Sequence, residues 1–113
     1  MTRLFFRVDF SREERLGPGK IRLLEMIQAN GSISAAARAM GMSYRRAWLL
    51  TDSLNKMFDQ PAVTAQTGGS GGGAATLTPF GDELVRLYRG MEQRVTDASR
   101  STLTTLERHR AAS

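Results

Sequence analysis

Two adjacent arginines, Arg45 and Arg46, follow Ser43 and Tyr44 at the head of the segment SYRRAWLLTDSLNKMF. A guanidinium carries a rigid fork of donors that can bond the guanine edge bidentately in the DNA major groove or grip a phosphate. The Ser43 and Tyr44 hydroxyls can add phosphate or base contacts. Such chemistry needs a helix that turns these side chains outward. Ala47, Leu50, Leu54, Met57 and Phe58 recur at helical spacing and define one apolar stripe. At about 100° per residue, Arg45, Leu49, Asp52 and Lys56 lie opposite that stripe, with Arg46 and Trp48 on its flanks. The plain alternative for the arginine pair is a solvated helix face. Trp48 is assigned to the core margin, where aromatics flanking a stripe usually sit, and Tyr44 is left between packing and phosphate contact.

The preceding residues supply a partner for this helix. Ser34 reads as the N-cap of a short helix through Ala35, Ala36, Ala37, Arg38 and Ala39 that stops at Gly41, a residue able to turn left-handed. Small side chains let the two helices cross closely. A short helix, a glycine turn and a second helix with a basic N-terminus make a helix-turn-helix, which points to double-stranded DNA as partner. An ordinary helical hairpin has similar spacing. On the DNA reading, Ser34 and Ser43 contact phosphate, while Tyr44, Arg45 and Arg46 contact bases or backbone.

Residues 61–78, PAVTAQTGGSGGGAATLT, hold no charge and place five glycines within positions 68–73. With β-prone residues on both sides, this run is expected to be the tip of a hairpin, the wing that follows a recognition helix. A flexible linker is the alternative. Gly69, Ser70 and Gly71 would then approach DNA through backbone N–H groups and one hydroxyl, positioning the molecule more than reading sequence. A nucleotide-binding phosphate loop is discounted because no Gly-Lys-Ser/Thr follows.

Three further elements frame this region. Leu4, Phe6, Val8 and Phe10 alternate with Phe5, Arg7 and Asp9, which predicts a strand that pairs either with the wing or across a dimer. A helix from about Gly19 to Asn30 offers Ile21, Leu24 and Ile27 to the core and ends at Gly31, leaving Lys20 and Arg22 as solvated charges or outer phosphate contacts. Thr78 and Pro79 open a long helix to about residue 109. Its Leu84, Leu87, Met91, Val95 and Ala98 form a coiled-coil-like seam expected to pair with a second copy, unless the helix folds back on its own domain.

With these pieces in order, the chain resembles the N-terminal DNA-binding domain of the molybdate-responsive (ModE-type) regulators, themselves similar to LysR-type winged helices. The resemblance is carried by GPGKIRLLEMI at 17–27, GSISAAARAMGMSYRRAW at 31–48 and TGGSGGGAATLTPFG at 67–81, and covers most of residues 4–98. It implies a dimeric winged helix that binds a palindromic operator with the Ser43–Trp48 turn in the major groove. In full-length family members a molybdate- or tungstate-capturing domain follows this one. These 113 residues leave no length for it, so oxyanion binding is not expected of them.

Composition narrows the classes further. Sixteen basic against eleven acidic residues give a net charge of +5, which favours a polyanion and makes affinity salt-sensitive. There is no cysteine, so disulfides and thiolate metal sites are excluded. His109 stands alone in a polar tail, and no nucleophile, base and oxyanion constellation is legible. No catalytic residues, cofactor, metal or membrane span are expected, and the cytoplasm is the default compartment. The expected fold is mainly α with a small β-hairpin: one winged helix-turn-helix domain over 1–113, with strand and loop at 1–16, three helices within 17–58, wing at 61–78 and dimerisation helix at 79–109. Two functions are carried forward: a homodimeric transcriptional regulator, and a stand-alone interaction module that heterodimerises with a full-length regulator.

Overall fold

The computed structural model describes residues 2–66 and 73–112. Among them the chain order is β1 (Val8–Asp9), β2 (Arg15–Leu16), α1 (Pro18–Asn30), α2 (Ile33–Met40), α3 (Tyr44–Met57), β3 (Val63–Ala65), β4 (Ala75–Leu77) and α4 (Pro79–Arg108). The molecule is thus mainly helical with a small β component, as expected.

Helix α1 is the hub. Pro18 pre-sets its first turn, and Gly31, at φ 77°, closes it by donating its N–H to the Ile27 carbonyl at 2.8 Å. Ile21, Leu23, Leu24 and Ile27 are fully buried, a stripe wide enough for α1 to pack against α2, α3, α4 and β4. Ala36, Ala37 and Ala47 join the same core, so α2 and α3 meet through small side chains.

Helix α2 begins two residues earlier than the sequence reading places it. Ser32, not Ser34, is the N-cap: its backbone is extended and its Oγ accepts from the Ala35 N–H at 3.0 Å. Ile33 is then the first helical residue and is buried, while Ser34 sits inside the first turn with its Oγ accepting from Arg38 at 3.2 Å. At the far end Gly41, at φ 66°, donates to the Arg38 carbonyl and Met42 to Ala37, a Schellman ending that turns the chain sharply into α3. Ser43 caps α3 as expected, its Oγ accepting from the Arg46 N–H at 3.1 Å.

Strands β3 and β4 form an antiparallel hairpin with Val63 opposite Leu77 and Ala65 opposite Ala75. Its base is fastened to α3 by Asn55. The amide oxygen accepts from the Ala62 and Val63 N–H groups at 2.8 and 3.0 Å, and the amide nitrogen donates to the Val63 carbonyl at 3.0 Å. Thr78 caps α4 at Gly81 and donates to the Pro61 carbonyl at 2.7 Å, which ties the hairpin to the last helix.

The N-terminal strand is shorter than its alternation predicts and has a different partner. Only Val8 and Asp9 pair, with Leu16 and Arg15 of the same chain and not with the wing. The residues before them follow α4 instead: the Tyr88 hydroxyl donates to the Phe6 carbonyl at 2.5 Å and the two rings lie 5.5 Å apart. Backbone groups satisfied this way have no need of a ladder.

At about 1.5 Å per residue α4 is about 45 Å long, which accounts for overall extents of 56 × 33 × 25 Å. Its predicted seam divides. Leu84 is buried in the chain's own core together with Tyr88, and so is withdrawn from any partner. Leu87 is 58% exposed, Val95 and Ala98 are exposed, and Met91 is half-buried. Arg89 holds the helix to α1 through Glu25 at 2.8 Å and bonds Glu92 at 2.8 Å on its own helix.

Candidate nucleic-acid interface

The buried side of α3, Ala47, Thr51 and Leu54, leaves the opposite side to solvent. Ser43, Tyr44, Arg45 and Arg46 are all exposed at its N-terminus. The first-turn N–H groups and the helix dipole make this end electropositive before any side chain is counted. Arg45 and Arg46 add two guanidinium groups, and neither joins an ion pair among the described residues. About three turns further on, Lys56 is neutralised by Asp52 at 2.9 Å, so the charge of α3 is concentrated at its start. Because the Ser43 Oγ accepts from Arg46 as a cap, its own proton remains to be donated outward.

Trp48 departs from its expected role. It is 46% exposed instead of sealing the core margin, because α2 and α3 approach through alanines and leave no space for an indole between them. Tyr44 is 55% exposed and Leu49 49% exposed, and these three with Arg45 line one shallow notch on the outer surface of α3. The structure therefore brings Ser43, Tyr44, Arg45 and Arg46 together and adds Trp48 and Leu49. Ser34 stands apart in α2, bonded to Arg38. The contacts expected of Gly69, Ser70 and Gly71 lie outside the described residues. On the helical wheel Leu49 was an outward position, whereas Trp48 stood on the flank of the apolar stripe and was assigned to packing.

Lys20 is likewise not a free surface charge. Its Nζ donates to the Arg15 carbonyl at 2.7 Å, fastening β2 to α1, and partial burial pulls its pKa below the usual lysine value. Between α1 and α4, the Arg89 hydrogen bonds hold the Glu25 carboxyl below its ordinary range and push Arg89 further up. No group of three His, Cys, Asp or Glu side chains among the described residues could hold a metal ion.

No protein-family model matches the chain. Individual proteins do. It is 45% identical over 78 residues to the molybdenum-pterin-binding protein MopB of Rhodobacter capsulatus, covering 69% of this chain and 29% of that protein. It is 40% identical over 93 residues to the molybdenum transport protein ModE of Azotobacter vinelandii, covering 80% and 34%. The DNA-binding transcriptional dual regulator ModE of Escherichia coli K12 is 42% identical over 71 residues, covering 63% and 27%. The chain is a homologue of the ModE and Mop proteins. It spans about a third of their length or less, the share that a single domain of a longer regulator would take.

This ModE homologue has a second concave surface. A groove of about 1180 Å³ runs between residues 2–5, the start of α1 and the outer half of α4, lined by Arg22, Arg89, Gln93 and Arg100 among others. Thr2 hydrogen-bonds Glu107 across it. In the same homologue no helix among the described residues is long and apolar enough to cross a membrane. The relatives are named as a molybdenum-pterin-binding protein, a molybdenum transport protein and a transcriptional regulator.

Proposed function

We propose that this chain is a winged helix-turn-helix domain that binds double-stranded DNA as a homodimer on a palindromic operator, in transcriptional regulation linked to molybdenum and without enzymatic activity. The observation that carries the reading is the exposed N-terminus of α3, where Arg45 and Arg46 stand beside Ser43 and Tyr44 with no ion pair among the described residues. In a helix-turn-helix this end of the second helix enters the major groove, with Arg45 and Arg46 at bases or phosphates and Ser43 at a phosphate. Ser34, already bonded to Arg38, becomes an outer phosphate contact at most. The β3–β4 hairpin is held to α3 by Asn55, and on this reading Gly69, Ser70 and Gly71 contact the DNA backbone beside the recognition helix. The cytoplasm is the compartment that this role requires.

Leu87, Met91, Val95 and Ala98 supply the homodimer contact, since α4 outruns the core that could cover them. Two copies would place their α3 helices on half-sites about 34 Å apart, one turn of DNA. Oxyanion binding is not proposed for these residues. The test is selection of binding sites from a random duplex library by the purified chain. Enrichment of an inverted repeat with half-sites spaced by one helical turn supports the reading. Enrichment of nothing, or of single unpaired sites, contradicts it.

A further inference from the structure

The outward face of α3 carries more apolar surface than phosphate binding needs. Leu49 points away from the buried Ala47, Thr51 and Leu54, so no adjustment within the chain covers it. Trp48 adjoins it, and the two share their notch with Tyr44 and Arg45. A leucine and an indole kept in water beside two guanidinium groups that join no ion pair among the described residues fit an occupant that is apolar at one point and anionic around it. The thymine C5-methyl is the apolar group that base edges display in the major groove, between rows of phosphates.

We infer that Trp48 and Leu49 read thymine methyl groups and so determine operator specificity at positions that the arginines do not reach. The inference rests on the DNA-binding reading above. Leu49 lies four residues, about 6 Å of helix rise, beyond Arg45, and base pairs stack about 3.4 Å apart. The thymine therefore falls within about two base pairs of the Arg45 contact.

Replacing each thymine of a selected half-site with deoxyuridine deletes the methyl and leaves pairing and charge unchanged. At one or two positions affinity drops about fourfold per methyl, the effect of burying one such group. The same replacement is silent for Leu49→Ala or Trp48→Ala, each compared with the parent at a temperature where its helical circular dichroism shows it fully folded. Thymine-free half-sites, or deoxyuridine without effect on a duplex that still binds tightly, overturn methyl reading and leave DNA binding intact. Failure to select any duplex removes both. Variants that keep full deoxyuridine sensitivity but lose self-association assign the face to a protein contact and also overturn the inference.

Discussion

Arg45 and Arg46 can be removed without touching the core, because Ala47, Thr51 and Leu54 anchor α3 from the other side. At about 1 kcal/mol or more for each guanidinium contact, the double change Arg45→Ala, Arg46→Ala weakens DNA binding about 30-fold or more. Its Tm stays at the parent value, and the salt slope falls by about one for each phosphate that the arginines had neutralised. Anisotropy titration and a thermal melt check this together. Asn55 makes the opposite kind of case. Asn55→Ala strands the N–H groups of Ala62 and Val63, both buried, and is expected to cost about 1–3 kcal/mol, read from the urea midpoint. Side chains at this scale were only partly legible in the sequence. Ser43 and the two arginines followed from spacing alone, whereas Asn55 and Lys20 act on backbone groups five to eight residues away across a turn, whose course helical periodicity does not encode.

The elements meet at two close contacts that set their own sensitivities. A methyl group at Gly81 would lie 2.2 Å from the Ala62 carbonyl oxygen, in backbone that cannot swing aside. Alanine normally stabilises a helix over glycine by about 1 kcal/mol. Here the sign reverses: Gly81→Ala is expected to destabilise by about 1–3 kcal/mol, as overpacking does, and the urea midpoint reads the difference. Glu25 and Arg89 join α1 to α4, and the depressed Glu25 pKa gives that joint a pH dependence. Its contribution is complete above the unfolded carboxylate value of about 4.3 and is lost as pH falls through the folded value. Glu25→Gln is therefore less stable than the parent at pH 7 and converges on it in acid, a comparison that equilibrium unfolding across pH makes. Helix limits were legible because their punctuation is local: Gly31, Gly41, Ser43, Thr78 and Pro79 all act where the sequence places them. The start of α2 was not, since Ser32 and Ser34 are chemically equivalent caps and the burial of Ile33 decides between them. The N-terminal strand failed for a related reason: alternation describes one apolar face, and α4 can satisfy it as well as a sheet.

The whole molecule is asymmetric, with a packed end around α1 and a helix running beyond it. Leu84 and Tyr88 are buried in the domain's own core, whereas Leu87 and Val95 on the same helix are exposed and are the contact of the proposed homodimer. Leu87→Glu with Val95→Glu is expected to shift the sedimenting species from dimer to monomer while the helical circular dichroism of the packed end persists. A parent that sediments as a monomer contradicts the homodimer and directs attention to pairing with a longer regulator. Fluorescence anisotropy of the chain shows whether the outer face of α3 reads DNA sequence. A labelled duplex from its own upstream region is compared with a scrambled duplex at two salt concentrations. Binding at least about 10³-fold tighter to the upstream duplex, with a salt slope worth several phosphates, is the expected result. Equal affinity for both duplexes at both salt concentrations contradicts it.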